Sequence, residues 1–293
     1  AELVIGYMIM LSRKVGDKNN EMHNGIWNKT SKNCYELREK TLGIVGYGSI
    51  GTQLSQLASN MGMNVIFYDI IPKLRYNNAK RMESFNKLLK KSNFVTFHVP
   101  LTNYTKNMIN KDNIMMMKKG SYLINASRGK VIDIEVVSKA LKDGYLAGAA
   151  FDVYPKEPKK NINSYINCLQ NCPNTVLTPH MGGSTEEAQV GIGTDVANKI
   201  INYIEYGTSL GSVNFPEIDL PVSGRTRFIN IHKNEPGSLQ LINDILKDIN
   251  ISNQVLSTQK EIGVTIVELD SNMDKELLGK IESLDCSIST RIL

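Results

Sequence analysis

Between Lys40 and Leu177 short apolar runs alternate with stretches in which apolar positions recur at helical spacing. Thr41–Val45, Asn64–Tyr68, Phe94–His98, Ser121–Asn125, Leu146–Phe151 and Thr175–Leu177 read as strands. Gly51–Met61, Ser84–Lys91, Lys111–Met117 and Glu135–Lys142 read as the helices between them. Strands that are apolar throughout and are separated by helices predict a parallel sheet covered on both faces. The expected fold is α/β, doubly wound and Rossmann-like. Upstream, the apolar positions of Leu3–Leu11 predict a buried helix running on towards Arg13 and Lys14. That run is too short to span a membrane. The chain opens inside this helix, which reads as a start downstream of the gene product's own.

The pattern changes after Gly182-Gly183-Ser184. Thr185–Glu205 reads as one long helix, and Gly207–Gly224, rich in Gly, Ser and Pro, as a linker. Then Thr226–His232 reads as a strand, Pro236–Asp248 as a helix, Gln254–Thr258 and Gly263–Asp270 as strands, Asp274–Leu284 as a helix and Ser287–Ile292 as a last strand. The order βαββαβ predicts a small ferredoxin-like unit.

Composition narrows the function. Of 293 residues, 41% are hydrophobic and 22% charged, which excludes disorder as the main state. The net charge of +5 comes with no dense Lys/Arg block, and the longest basic pairs, Lys90-Lys91, Lys118-Lys119 and Lys159-Lys160, are separate. Such a surface suits small acidic substrates and gives no nucleic-acid face. Cys34, Cys168, Cys172 and Cys286 form no zinc-like pairing, so no metal is expected, and they read as reduced thiols of a cytoplasmic protein.

Gly46-Tyr47-Gly48-Ser49-Ile50-Gly51 lies between an expected strand and an expected helix. In this setting the first Gly makes the tight turn, the second admits a pyrophosphate and the third lets helix and strand pack closely. The helix N-terminus offers free N–H groups to the phosphates. Asp69 ends the next strand, where a carboxylate accepts from a ribose 2′-hydroxyl and repels a 2′-phosphate, favouring NAD over NADP.

Three further segments, Ala126-Ser127-Arg128-Gly129, Asp152–Pro158 and Thr178–Gly183, each follow an apolar strand. All three are therefore expected at strand C-terminal ends, where open α/β sheets bind ligands. Singly, Arg128 reads equally as a surface ion-pair partner, Glu157 as a loop carboxylate and His180 as a turn histidine. Together they supply a reaction. Hydride loss from a hydroxyl-bearing carbon needs a base for the hydroxyl proton, which suits His180. Glu157 would fix its tautomer, and Arg128 would hold a carboxylate in two-point contact.

The runs GIVGYGSIG, FYDI, FHVPLT, INASRG, AGAAFDVYPKEP and TPHMGGST, in this order, resemble the D-isomer-specific 2-hydroxyacid dehydrogenases over nearly the whole chain. Within that family the chain is similar to the branch that carries one C-terminal ACT domain. That resemblance implies NAD-dependent oxidation of 3-phospho-D-glycerate to 3-phosphohydroxypyruvate, the first step of L-serine synthesis. It implies Arg128 as the substrate-binding residue, His180 as the acid/base and Glu157 as its support. It implies an NAD site made of Gly46, Gly48, Ser49, Ile50, Gly51, Asp69, His98, Val99, Pro100, Ala126, Ser127, Arg128, Asp152, His180, Gly182 and Gly183.

By the same resemblance Lys29 lies near the substrate phosphate. Trp27, which by spacing alone could equally be a core anchor, packs into another subunit of a homotetramer. His232, Asn234 and Ser252 would form an L-serine effector site between paired ACT domains, with Glu235 and Ser252 departing from the residues usual there. The implied domains are 1–183 for NAD, 184–223 as a remnant of the substrate domain with a linker, and 224–293 as the ACT domain. Oxidation of glycerate, lactate or 2-hydroxyglutarate, or a non-catalytic sensor of NAD or an amino acid, are the competing readings.

Overall fold

The computed structural model describes residues 1–272 and 275–293. It divides into two compact units, Ala1–Ser184 and Thr185–Leu293. The first unit opens with helices α1 (Glu2–Arg13) and α2 (Val15–His23). Then come β1 (Thr41–Val45), α3 (Ser49–Asn60), β2 (Asn64–Tyr68), β3 (Lys80–Arg81), α4 (Phe85–Lys91), β4 (Phe94–Phe97) and β5 (Tyr122–Asn125). The unit closes with α5 (Ile134–Lys142), β6 (Gly148–Phe151) and β7 (Thr175–Leu177). All seven strands pair in parallel in the order β3-β2-β1-β4-β5-β6-β7.

That order explains the apolar strands. Every interior strand is covered on both sides, so β4, β5 and β6 are buried at every position. On one face Leu42, Ile44, Phe67, Phe94 and Ile124 pack with Leu54 and Ala58 of α3 and with Val4, Tyr7, Met8 and Leu11 of α1. On the other, Val45, Val95, Phe97 and Leu123 pack with Leu88 and Leu89 of α4 and Val137 and Leu141 of α5. Asp133 caps α5 by accepting from the N–H groups of Glu135 and Val136, and Ser84 caps α4 at Lys87.

The second unit contains α6 (Glu186–Tyr206), β8 (Thr226–Lys233), α7 (Ser238–Ile245), β9 (Ile251–Gln259), β10 (Ile262–Leu269), α8 (Lys275–Glu282) and β11 (Ser287–Ile292). Its four strands form an antiparallel sheet in the order β11-β8-β10-β9.

Several expectations need correction. Lys111–Met117 is no α-helix; only a single 3-10 turn, Ile114–Met116, forms there. Asn110 and Asn113 bond the local backbone instead, an alternative to the helical ladder. The helix expected over Pro236–Asp248 begins at Ser238 and ends at Ile245. Asp274, where a helix was expected to start, lies outside the described residues. Gly207–Gly224 has no regular structure but is no free linker, because Ile218 and Leu220 are buried against Ile229, Val264 and Ile266.

Candidate active site

In the first unit the chain adds strands outward in one direction from β1 and in the other from β4, so the loops after these two parallel strands flank a crevice at their C-terminal ends. Such a switch point is where open α/β sheets bind ligands. Gly46 directly follows β1 with φ +90°, and a Cβ there would fall 2.3 Å from the His98 carbonyl oxygen. Gly51 packs equally tightly, with a Cβ position 2.3 Å from the Gly46 oxygen. Gly48 is the opposite: nothing lies within 4 Å of where its Cβ would be. The loop thus makes two tight internal packings and leaves one open cradle, which Ser49 and the half-exposed Ile50 border at the start of α3. A dinucleotide pyrophosphate fits this arrangement.

Asp69 sits just past β2 and is fixed in place. Its Oδ2 accepts from the Tyr47 N–H at 2.7 Å, and its Oδ1 from the Ile71 N–H at 2.9 Å. Beyond β4, the His98 ring is 3.0 Å from Thr96 Oγ1, and burial pushes its pKa down to about 4, so it is neutral near pH 7. Val99 packs beside Gly46, and Pro100 is exposed.

Past β5, Asn125 Oδ1 accepts from the Ser127 N–H and hydroxyl, while its amide donates to the Arg128 carbonyl. This ties the Ala126–Arg128 turn to the strand. Arg128 is exposed, with Nη1 donating to the Ser127 carbonyl at 2.7 Å. Gly129 lets this loop lie directly on the next one, since a Cβ there would overlap the Tyr154 carbonyl. The loops bearing Arg128 and Glu157 are thereby in contact.

His180 Nδ1 is 2.7 Å from Glu157 Oε2. Glu157 is itself oriented, because its other oxygen accepts from the Tyr154 N–H at 2.8 Å. His180 stands at φ +54°, in the left-handed region. The turn after it is held by Asp152, which accepts from the N–H groups of Met181 and Gly182, both at 2.8 Å. Gly182 lies close to that carboxylate, and Gly183 follows it. The Glu157 carboxylate fixes Nδ1 as the protonated nitrogen of a neutral His180, which leaves Nε2 as the proton acceptor.

Sequence reasoning missed Asn125, Gly129, Thr178 and Tyr7. Asn125, Gly129 and Thr178 each stood within a quoted motif but were given no role; Tyr7 gave no local signal. Lys29 lies on a groove lined also by Arg13, Lys18, Asn19 and Tyr35. Among the described residues it makes no hydrogen bond or ion pair with Arg128, Glu157 or His180. Trp27 is 81% exposed, which excludes the core-anchor reading. His232 and Asn234 lie at the end of the second sheet where β8 meets the start of β10, whereas Ser252 lies at the far end, beside Leu269. One chain does not bring these three together. Among the described residues no group of His, Cys, Asp and Glu could hold a metal, and no helix is long and apolar enough to cross a membrane.

Residues 5–182 match the model of the D-isomer-specific 2-hydroxyacid dehydrogenase NAD-binding domain. The chain belongs to this family. NAD is the cofactor of its first unit, and the glycine cradle and Asp69 fit that cofactor. The whole chain is 56% identical to D-3-phosphoglycerate dehydrogenase of Dictyostelium discoideum, of which it spans 72%. An NAD-complexed D-isomer-specific 2-hydroxyacid dehydrogenase of Lactobacillus delbrueckii superposes with a TM-score of 0.65 at 30% identity, over 73% of this chain and 68% of that one. A glyoxylate reductase of Paecilomyes thermophila gives 0.63 at 31% identity, over 70% of this chain. The chain spans 62% of that enzyme's length.

Proposed function

We propose that the chain is the cofactor-binding and regulatory part of an NAD-dependent D-3-phosphoglycerate dehydrogenase. It would oxidise 3-phospho-D-glycerate to 3-phosphohydroxypyruvate, the first step of L-serine synthesis. The observation that carries this is the Glu157–His180 pair, 2.7 Å apart, on the same strand ends as the glycine cradle and Arg128. Arg128 grips the substrate carboxylate, holding C2 towards the cofactor. His180 Nε2 takes the 2-hydroxyl proton, and Glu157 stabilises the imidazolium that results. Bound NAD supplies the hydride acceptor. The 56% identity to a named D-3-phosphoglycerate dehydrogenase favours this substrate over lactate or glyoxylate, the substrates of more distant neighbours.

The βαββαβ order of residues 224–293 supports an ACT domain, with 184–223 as part of the substrate domain. Serine would bind where a second copy brings its Ser252 end to His232 and Asn234. The exposed Trp27 supports a subunit contact in a cytoplasmic homotetramer, and Lys29 would then reach the substrate phosphate.

Purified chain is mixed with NADH and 3-phosphohydroxypyruvate, and NADH loss is followed. Turnover is expected, falling about 10²–10⁴-fold in His180→Ala while NADH still binds. Faster turnover of pyruvate, glyoxylate or 2-oxoglutarate would transfer the assignment to another member of the family. A rate indifferent to His180→Ala would end the catalytic reading.

A further inference from the structure

Tyr7 lies on α1, 171 residues before Thr178, and its ring is 2% exposed. Its hydroxyl is 2.5 Å from Thr178 Oγ1, which lies 2.6 Å from Asp152 Oδ1. The proton order follows from what each group can give. An ionised carboxylate only accepts, so the single Thr178 hydroxyl proton goes to Asp152, and Tyr7 must donate to Thr178. Burial pushes the Tyr7 phenol up to about 12, so the donor keeps its proton throughout the neutral range.

The last acceptor in this chain is the carboxylate that holds the turn after His180. Asp152 is 1% exposed and takes three donors: the Thr178 hydroxyl and the N–H groups of Met181 and Gly182. A buried carboxylate with three fixed donors has little freedom to rotate. The His180 backbone needs such a hold, because a non-glycine residue in the left-handed region sits about 1–2 kcal/mol above its relaxed state. Tyr154 secures the same turn from the other side, donating from its hydroxyl to the Thr178 carbonyl at 3.0 Å.

We propose that Tyr7 is a positioning residue for the reaction, acting through Thr178 and Asp152 to fix the backbone on which His180 is presented. The inference rests on the assignment of His180 as acid/base, and its first readout does not depend on turnover. Tyr7→Phe removes the hydroxyl and keeps the ring. Hydrogen exchange of the Met181 and Gly182 amides should then quicken at least tenfold, while amides of β1 and β5 keep their rates. Loss of packing alone would instead lower the melting temperature and quicken exchange across the whole unit.

In steady-state kinetics Tyr7→Phe should lower kcat about tenfold with the KM for NADH within twofold. Thr178→Val should give the same loss, Thr178→Ser should restore the parent rate, and the Tyr7→Phe/Thr178→Val pair should be no worse than Thr178→Val alone, as expected of groups acting as one unit. Unchanged exchange at Met181 and Gly182 in Tyr7→Phe would overturn the proposal, as would additive losses in the double variant. Failure of the dehydrogenase assignment would appear separately, as absent turnover in the parent chain whatever the exchange result.

Discussion

Two carboxylates, Asp152 and Glu268, are equally buried at 1% exposure, yet the two units treat them differently. In the antiparallel sheet Glu268 on β10 pairs with Arg227 on β8 at 2.5 Å, and Asn253 donates to its second oxygen. Arg227 also donates to the carbonyls of Tyr206 and Pro221, so the charge is matched and the surrounding loop closed over it. In the parallel sheet the donors to Asp152 among the described residues are neutral, the Thr178 hydroxyl and the N–H groups of Met181 and Gly182, from the turn that carries His180. The first arrangement neutralises a charge and locks a domain. The second uses its three hydrogen bonds to fix the geometry of the turn that carries His180. Burial alone therefore does not mark a functional carboxylate; the identity of its partners does.

The comparison predicts unequal costs. Arg227→Met strands Glu268 in the interior and should destabilise the second unit by about 3–5 kcal/mol. Chemical denaturation should show that unit's transition shifting while the first unit's stays, and coincident shifts of both would contradict separate units. Asp152→Asn keeps the volume but turns an amide donor on the Met181 or Gly182 N–H, at a cost of about 1–3 kcal/mol to the first unit.

Acid should discriminate further. Burial opposes the charge of Glu268, but the bonds from Arg227, Asn253 and Ser223 outweigh it and hold its pKa below the ordinary value. A depressed folded pKa gives stability that is present above the unfolded value of 4.5 and lost as pH falls below it. The second unit should therefore weaken below about pH 4.5, and Glu268→Gln should flatten that pH dependence in thermal melts.

Much of the first unit was legible because its strands are buried on both faces and so written as unbroken apolar runs. The glycine loop and the Glu157–His180 pairing were legible because each follows such a run. What failed was local and polar. α2 buries no residue and leaves α1 only through a left-handed Lys14, so it carries no apolar stripe to read. β3 is two exposed residues long, and its identity comes from pairing with Ile66 and Phe67, not from its own sequence. Tyr7 was read correctly as part of a buried helix, but its link to Thr178 depends on α1 packing across the sheet, which no window of sequence contains.

Two glycines repeat the contrast between the units on a smaller scale. A Cβ on Gly263 would fall 2.4 Å from Nε2 of His232, a buried ring tied to Asn230, so the missing side chain is filled by the protein itself. Gly263→Ala should cost about 1–3 kcal/mol in the second unit and leave NADH binding alone. Gly48 has open space where its Cβ would be and a negative φ of −85°, so Gly48→Ala should change stability by less than about 0.5 kcal/mol. Its effect should appear in NADH fluorescence titration as an affinity loss of about tenfold or more, because the methyl occupies the approach of the pyrophosphate. Unchanged affinity would mean that the cradle is open for some reason other than the cofactor. A stability loss matching that of Gly263→Ala would mean that the space is closed in solution, and that both glycines serve packing.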